Sequence, residues 1–102
     1  MTTEEQVARR ELVAAARSVA ARGLSHGTTG NLSVRLADLI LVTPTRSSLA
    51  TGAPEELALI DLQGRPQSKA LPSKEAFLHA AIYRNRPAAR AIVHTHSLHA
   101  TA

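Results

Sequence analysis

The order of patterned segments predicts an α/β protein three layers deep, with a largely antiparallel central sheet flanked by helices. Three observations lead there. A helical pattern opens the chain, short β-like runs broken by Gly, Pro and polar pairs fill its middle, and a second helical pattern followed by a β-branched run closes it. The chain has 102 residues, enough for one core. Nineteen alanines, with Phe77 and Tyr83 as the aromatics, leave small side chains to fill that core. Further chain or subunit contacts are therefore expected to complete it.

Thr2 followed by Glu5 forms a capping-box pattern, and Ala8, Leu12, Ala15, Ala16 and Val19 recur at helical spacing up to Arg22-Gly23, so the first helix is expected over 3–22. Residues 25–31 read as a polar, Gly-containing loop. Leu32 to Leu36 and Leu39 to Thr43 read as a hairpin turning at Ala37-Asp38, with Pro44 ending the second strand. Thr45 to Ser48 forms another polar loop. From Glu55 a short link leads to a third strand at 57–62, and 65–71 is expected to return as a weak strand after Gln63-Gly64. Ser73 is the expected N-cap of a second helix burying Phe77, Leu78, Ala81 and Ile82, which ends at Asn85-Arg86-Pro87. A last strand spans 91–97.

Composition excludes several functions. Without Cys there are no disulfides, thiol nucleophiles or zinc ribbons, and a reducing compartment is expected. The polar, acidic start and the lack of a long apolar run predict a cytoplasmic protein with neither signal peptide nor membrane span. Net charge is +4, but the ten Arg and two Lys form no basic block and stacking aromatics are lacking, so no nucleic-acid partner is expected. The Gly-rich signatures of phosphate-hydrolysing and dinucleotide-binding loops, and the Ser elbow of hydrolases, do not occur.

The sharpest local signal is His94-Thr95-His96. Strand alternation puts both imidazoles on one face with Cα atoms about 6.5–7 Å apart. They can share a metal ion, or they can be two polar residues at a strand end. Glu75, in the first turn of the second helix, is a candidate acid/base or an ordinary acid favoured by the helix dipole. Gly27-Thr28-Thr29-Gly30-Asn31 offers backbone N–H groups, hydroxyls and an amide, the donors of a phosphate nest or of a simple turn. His26, His79 and His99 receive no site role; His79 follows Glu75 by four residues and lines a helix face.

Together the segments GTTGNLSVR (27–35), LVTPT (41–45), PSKEAFLHAAIYRNRP (72–87) and AIVHTHSLHATA (91–102) resemble, in order and spacing, the class II aldolase/adducin family, along the whole chain. The resemblance implies a class II aldolase-like fold, incomplete at its C-terminus, with residues 1–102 as a single N-terminal domain of a longer unit. It implies His94, His96 and Glu75 as ligands of a divalent metal, commonly zinc, and Glu75 as the catalytic acid/base. Thr28, Gly30, Asn31, Thr45 and Ser73 would hold the phosphate of a phosphorylated sugar or sugar acid. The metal would act as a Lewis acid toward an enediolate while the carboxylate moves the proton, in a homotetramer.

Departures from the family pattern refine this reading. The family's third metal-binding His and an acid-catalyst Tyr lie downstream of the 102 residues, so these residues alone are expected to make an incomplete metal site. Arg46 stands where many members have Gly after T-P-T. Lys74 between Ser73 and Glu75 is similar to the branch that decarboxylates 3-oxo-tetronate 4-phosphates, where sugar-phosphate aldolases tend to show Ser-Ser-Glu. The alternatives are a fuculose-phosphate type aldolase or an epimerase, a non-catalytic adducin-like module, and an inactive truncated homologue.

Overall fold

The computed structural model describes residues 3–22, 30–44 and 53–94. Helix α1, Thr3–Ala21, carries Glu4 and Glu5 in its first turn, where the positive end of the helix dipole favours them. Its buried stripe is Ala8, Arg9, Leu12, Val13 and Ala16. Arg9 can be buried because its guanidinium is well paired: it donates to Glu5 Oε2 at 3.0 Å, Pro54 O at 3.0 Å and Leu57 O at 3.3 Å, tying α1 to a single 3-10 turn at Pro54–Glu56.

Strands β1 (Asn31–Leu36), β2 (Leu39–Val42), β3 (Ala58–Asp61) and β4 (Ala91–His94) form one sheet of order β3-β2-β1-β4, and each neighbouring pair is antiparallel. β1 and β2 form the expected hairpin, turning at Ala37-Asp38 with Ala37 in the left-handed region at φ 53°. The expected return strand over 65–71 does not form as an element. Asp61 collects the turn instead, its carboxylate accepting from the backbone N–H of Gln63 and Arg65, and only an isolated bridge pairs Ile60 with Pro66. Gly64 has φ 85°, and a Cβ there would sit 3.3 Å from the Phe77 Cα.

Side-chain alternation divides the sheet into two faces. Leu32, Leu41 and Leu57 pack with α1, joined by Val34, Leu36 and Leu59. Ile40, Val42, Ala58 and Ile60 pack on the opposite face against helix α2, Ala76–Asn85, with Ile92 of β4 at the margin. Helix, sheet and helix make the three layers expected.

The buried stripe of α2 falls on the opposite face of the helix from the expected one, and none of Phe77, Leu78, Ala81 and Ile82 is fully buried. Ala76, His79, Ala80 and Tyr83 face the sheet, whereas Phe77 is 68% exposed and Leu78 45%. Small Ala76 and Ala80 let the helix lie close on the strands, and the polar residues between them meet polar partners described below. Nor is Ser73 the N-cap: the helix begins at Ala76 with Glu75 in the capping position, while Ser73 Oγ accepts the Glu75 N–H at 3.3 Å and Ser73 O the Ala76 N–H at 2.9 Å. The Pro72-Ser73-Lys74 lead-in makes a turn before the helix.

Candidate functional site

The candidate site lies on the α2 face, where the start of β1, the end of β2, the lead-in to α2 and the end of β4 meet. Gly30 enters β1 at φ 84°, a conformation that favours glycine, and places Asn31 at the first strand position. Asn31 pairs in register with His94 at the end of β4. Ser73 N donates to Thr43 O at 3.0 Å and Pro72 bridges Pro44, so the turn before α2 is fastened to the end of β2. Thr43 is fastened in turn to β1, its Oγ1 accepting the Leu32 N–H at 3.3 Å.

Glu75 and His94 converge at this junction. His94 shares its face of β4 with Ile92, which packs against the α2 cluster, so alternation directs the imidazole toward the start of the helix. His94 Nδ1 lies 2.5 Å from Glu75 Oε2. That oxygen is shut off from solvent and makes no hydrogen bond of acceptable geometry. A buried carboxylate oxygen without a hydrogen bond beside an imidazole nitrogen offers two donor types that a divalent cation such as zinc accepts, and the two atoms are also within ion-pair distance of each other. Of the other expected site residues, Gly30, Asn31 and Ser73 border the same junction, while Thr28, Thr45 and His96 lie outside the described residues. Among the described residues no cluster of three or more metal-type side chains occurs.

Sequence reasoning missed the group at the centre of this face. His79 is buried, 1% exposed, between two sheet residues: Nδ1 lies 2.6 Å from Ser33 Oγ, and Nε2 makes a short contact with Asn31 Oδ1. Ser33 Oγ also lies 2.9 Å from the Tyr83 hydroxyl. Burial, reinforced by His94 and opposed by Glu75, pushes the His79 pKa down to about 4, so the ring is neutral near pH 7. Burial likewise raises the Tyr83 phenol, against the Ser33 hydrogen bond and Arg35. A signal was present in the spacing: 76, 79, 80 and 83 fit i, i+3, i+4, i+7, but ranking by apolarity favours Phe77 and Leu78.

A cleft of about 350 Å³ beside Gln6, Arg9, Arg10, Pro54 and Glu55 involves none of these residues. No described helix is long and apolar enough to cross a membrane.

The profile of the Class II Aldolase and Adducin N-terminal domain matches residues 10–102. The chain is 47% identical over 98 residues to a 3-oxo-tetronate 4-phosphate decarboxylase of Haemophilus influenzae, covering 94% of this chain and 47% of that protein. To an L-fuculose phosphate aldolase of Escherichia coli it is 42% identical over 80 residues, covering 78% of this chain and 37% of that protein. The crystal structure of YgbL from Klebsiella pneumoniae superposes with a TM-score of 0.88 at 41% identity, covering 96% of this chain and 47% of that one. That of the L-fuculose-1-phosphate aldolase from Thermus thermophilus gives a TM-score of 0.71 at 37% identity, covering 86% and 48%. The chain thus spans less than half the length of these relatives.

Proposed function

The chain belongs to the class II aldolase and adducin family, and on that premise we propose that it forms the substrate-binding half of a metal-dependent carbon–carbon lyase acting on a phosphorylated sugar acid. A 3-oxo-tetronate 4-phosphate is the favoured substrate. The observation that carries the reading is the Glu75 carboxylate against the His94 imidazole, 2.5 Å apart, beside Asn31 and Ser73. Support for the decarboxylase branch comes from Lys74 and from the 47% identity to a protein named for that reaction.

Glu75 and His94, with His96, would hold a divalent metal, most simply zinc, completed by a ligand from outside these residues. When bound, it would supply positive charge opposite the developing oxyanion. Gly30, Asn31 and Ser73, with Thr28 and Thr45, would anchor the phosphate, so that binding energy from a remote group orients the reacting carbons. In a 3-oxo-tetronate the carboxylate is β to the ketone. Breaking that carbon–carbon bond releases carbon dioxide and leaves the electron pair on C2, delocalised onto the ketone oxygen as an enediolate. Glu75 would return a proton to C2, giving dihydroxyacetone phosphate. Retro-aldol cleavage of a ketose 1-phosphate would pass through the same enediolate. This is why the fuculose-phosphate type aldolase is the second reading, favoured by the 42% identity to such a protein.

The test compares kcat/KM of the full-length protein on a 3-oxo-tetronate 4-phosphate and on fuculose 1-phosphate, with and without chelator. Higher efficiency on the first, lost with chelator and restored by zinc, supports the decarboxylase reading. The reverse ranking promotes the aldolase, and turnover of neither leaves a non-catalytic adducin-like role. Sedimentation of the same preparation tests the proposed homotetramer.

A further inference from the structure

We propose that His79 is a positioning residue that sets which way the Asn31 amide points, and so which of its groups is presented to the substrate phosphate. The proposal rests on the reading of Asn31 as a phosphate contact. With the Asn31 amide oxygen turned toward His79, as in this structure, the four groups at this helix–sheet contact admit one order of protons. Asn31 Oδ1 is an amide oxygen and only accepts, so the His79 Nε2 facing it carries hydrogen and donates. In the neutral ring with Nε2–H, Nδ1 is an acceptor, and Ser33 Oγ, 2.6 Å away, donates to it. With its one proton committed, Ser33 Oγ accepts from the Tyr83 hydroxyl at 2.9 Å. Donation therefore runs one way, from Tyr83 through Ser33 and His79 to Asn31.

The consequence falls at the end of that line. With Oδ1 turned to His79, the Asn31 amide nitrogen is directed away from it, and it donates to none of the described residues. It is an N–H₂ donor pair at the site junction, beside the left-handed Gly30. A flipped amide would present an oxygen to the phosphate, acceptor against acceptor. The flip would require reversing all the other donors, because each buried group has its complement fixed by its neighbour. An apolar pair at 79 and 33 could fill the same volume, but it would leave the amide free to rotate.

The experiment uses the full-length protein, with nitrogen-15 histidine NMR and with inorganic phosphate as the probe. Near neutral pH the His79 proton is expected on Nε2 and not on Nδ1; a proton on Nδ1 means the line runs backward and overturns the proposal. This measurement needs no variant, so it decides even where a substitution prevents folding. In phosphate titrations His79→Phe should weaken binding about tenfold, close to Asn31→Ala, while His79→Gln, which keeps an N–H within reach, should lose less than about threefold. Equal losses in His79→Phe and His79→Gln would make the effect one of packing and overturn the proposal. Normal phosphate binding by His79→Phe with loss in Asn31→Ala overturns it too, but leaves the Asn31 phosphate role standing. Normal binding by Asn31→Ala removes the phosphate reading of Asn31 and the proposal with it.

Discussion

The two faces of the sheet are built from the same four strands by opposite means. Against α1 the contact is aliphatic: Leu32, Leu41 and Leu57 meet Ala8, Leu12, Val13 and Ala16, and the charged group on that side, Arg9, is satisfied at the periphery. Against α2 the strands present Asn31 and Ser33 as well as Ile40, Val42 and Ile60, and the helix answers with His79 and Tyr83. One face stabilises by removing apolar surface from water. The other accepts the cost of buried polar groups, which is recovered only if all of them are paired, in return for fixed directions. The site stands at the edge of the second face, where direction matters and bulk does not.

The largest effect that should separate the faces is on turnover. Glu75→Gln in the full-length protein is expected to lower kcat by roughly 10²–10⁴-fold, because Gln keeps the shape and a coordinating oxygen but cannot carry the proton. Metal content and melting temperature should stay near wild type, whereas His94→Ala should lose metal. Full activity in Glu75→Gln would take the chemistry away from the α2 face. The reciprocal change belongs to the α1 face: Leu41→Ala removes a fully buried side chain and is expected to cost about 2–5 kcal/mol by denaturant titration, with KM unchanged in the protein that remains folded. A comparable loss of substrate affinity there would blur the division.

Acid should act on the α2 face. The unfolded chain takes up a proton on this histidine near pH 6.5, whereas folded His79 resists until about pH 4. Below pH 6.5 the unfolded state therefore binds more protons, and the stability contributed by the neutral ring, complete above that pH, is lost as pH falls toward 4. The loss amounts to roughly 3 kcal/mol for the metal-free protein. Thermal melts should show the decline in wild type and a flatter profile in His79→Gln between pH 6.5 and 4.5. Identical profiles would place His79 in contact with solvent.

The faces also differ in how far the sequence exposes them. The α1 side is legible because apolarity and helical period agree: Ala8, Leu12 and Ala16 are apolar, correctly spaced and buried, and the hairpin turns at Ala37-Asp38 as expected. On the α2 side the two signals conflict. Phe77 and Leu78 are large apolar residues of the helix and point outward, while His79 goes in, because its partners Ser33 and Asn31 are far away in sequence and burial of a polar group depends on partners that only the fold supplies. Glu75 and His94 stand out in the sequence by residue type and spacing, and the structure brings them together. Thr28, Thr45 and His96 lie outside the described residues, so the phosphate and metal assignments at those positions rest on the family pattern.

The smallest effect is expected where the chain belongs to neither face. Ala37 turns the β1–β2 hairpin at φ 53°, a conformation in which its Cβ crowds the backbone and which glycine adopts freely. Its carbonyl accepts from Arg35 Nε at 2.7 Å, a backbone contact that any residue at position 37 preserves. Ala37→Gly removes the strain but also widens the unfolded ensemble, which costs a few tenths to about 1 kcal/mol. Relief of a left-handed non-glycine residue is worth about 1–2 kcal/mol, so the net gain should be at most about 1 kcal/mol, a rise of a few degrees in Tm. Phosphate affinity and kcat should not move, because the hairpin tip lies at the opposite end of β1 from Asn31. A loss of stability in Ala37→Gly would mean that the turn is held by more than the local backbone. A change in phosphate affinity would mean that β1 transmits strain along its length, and the two ends of the strand could no longer be treated as independent.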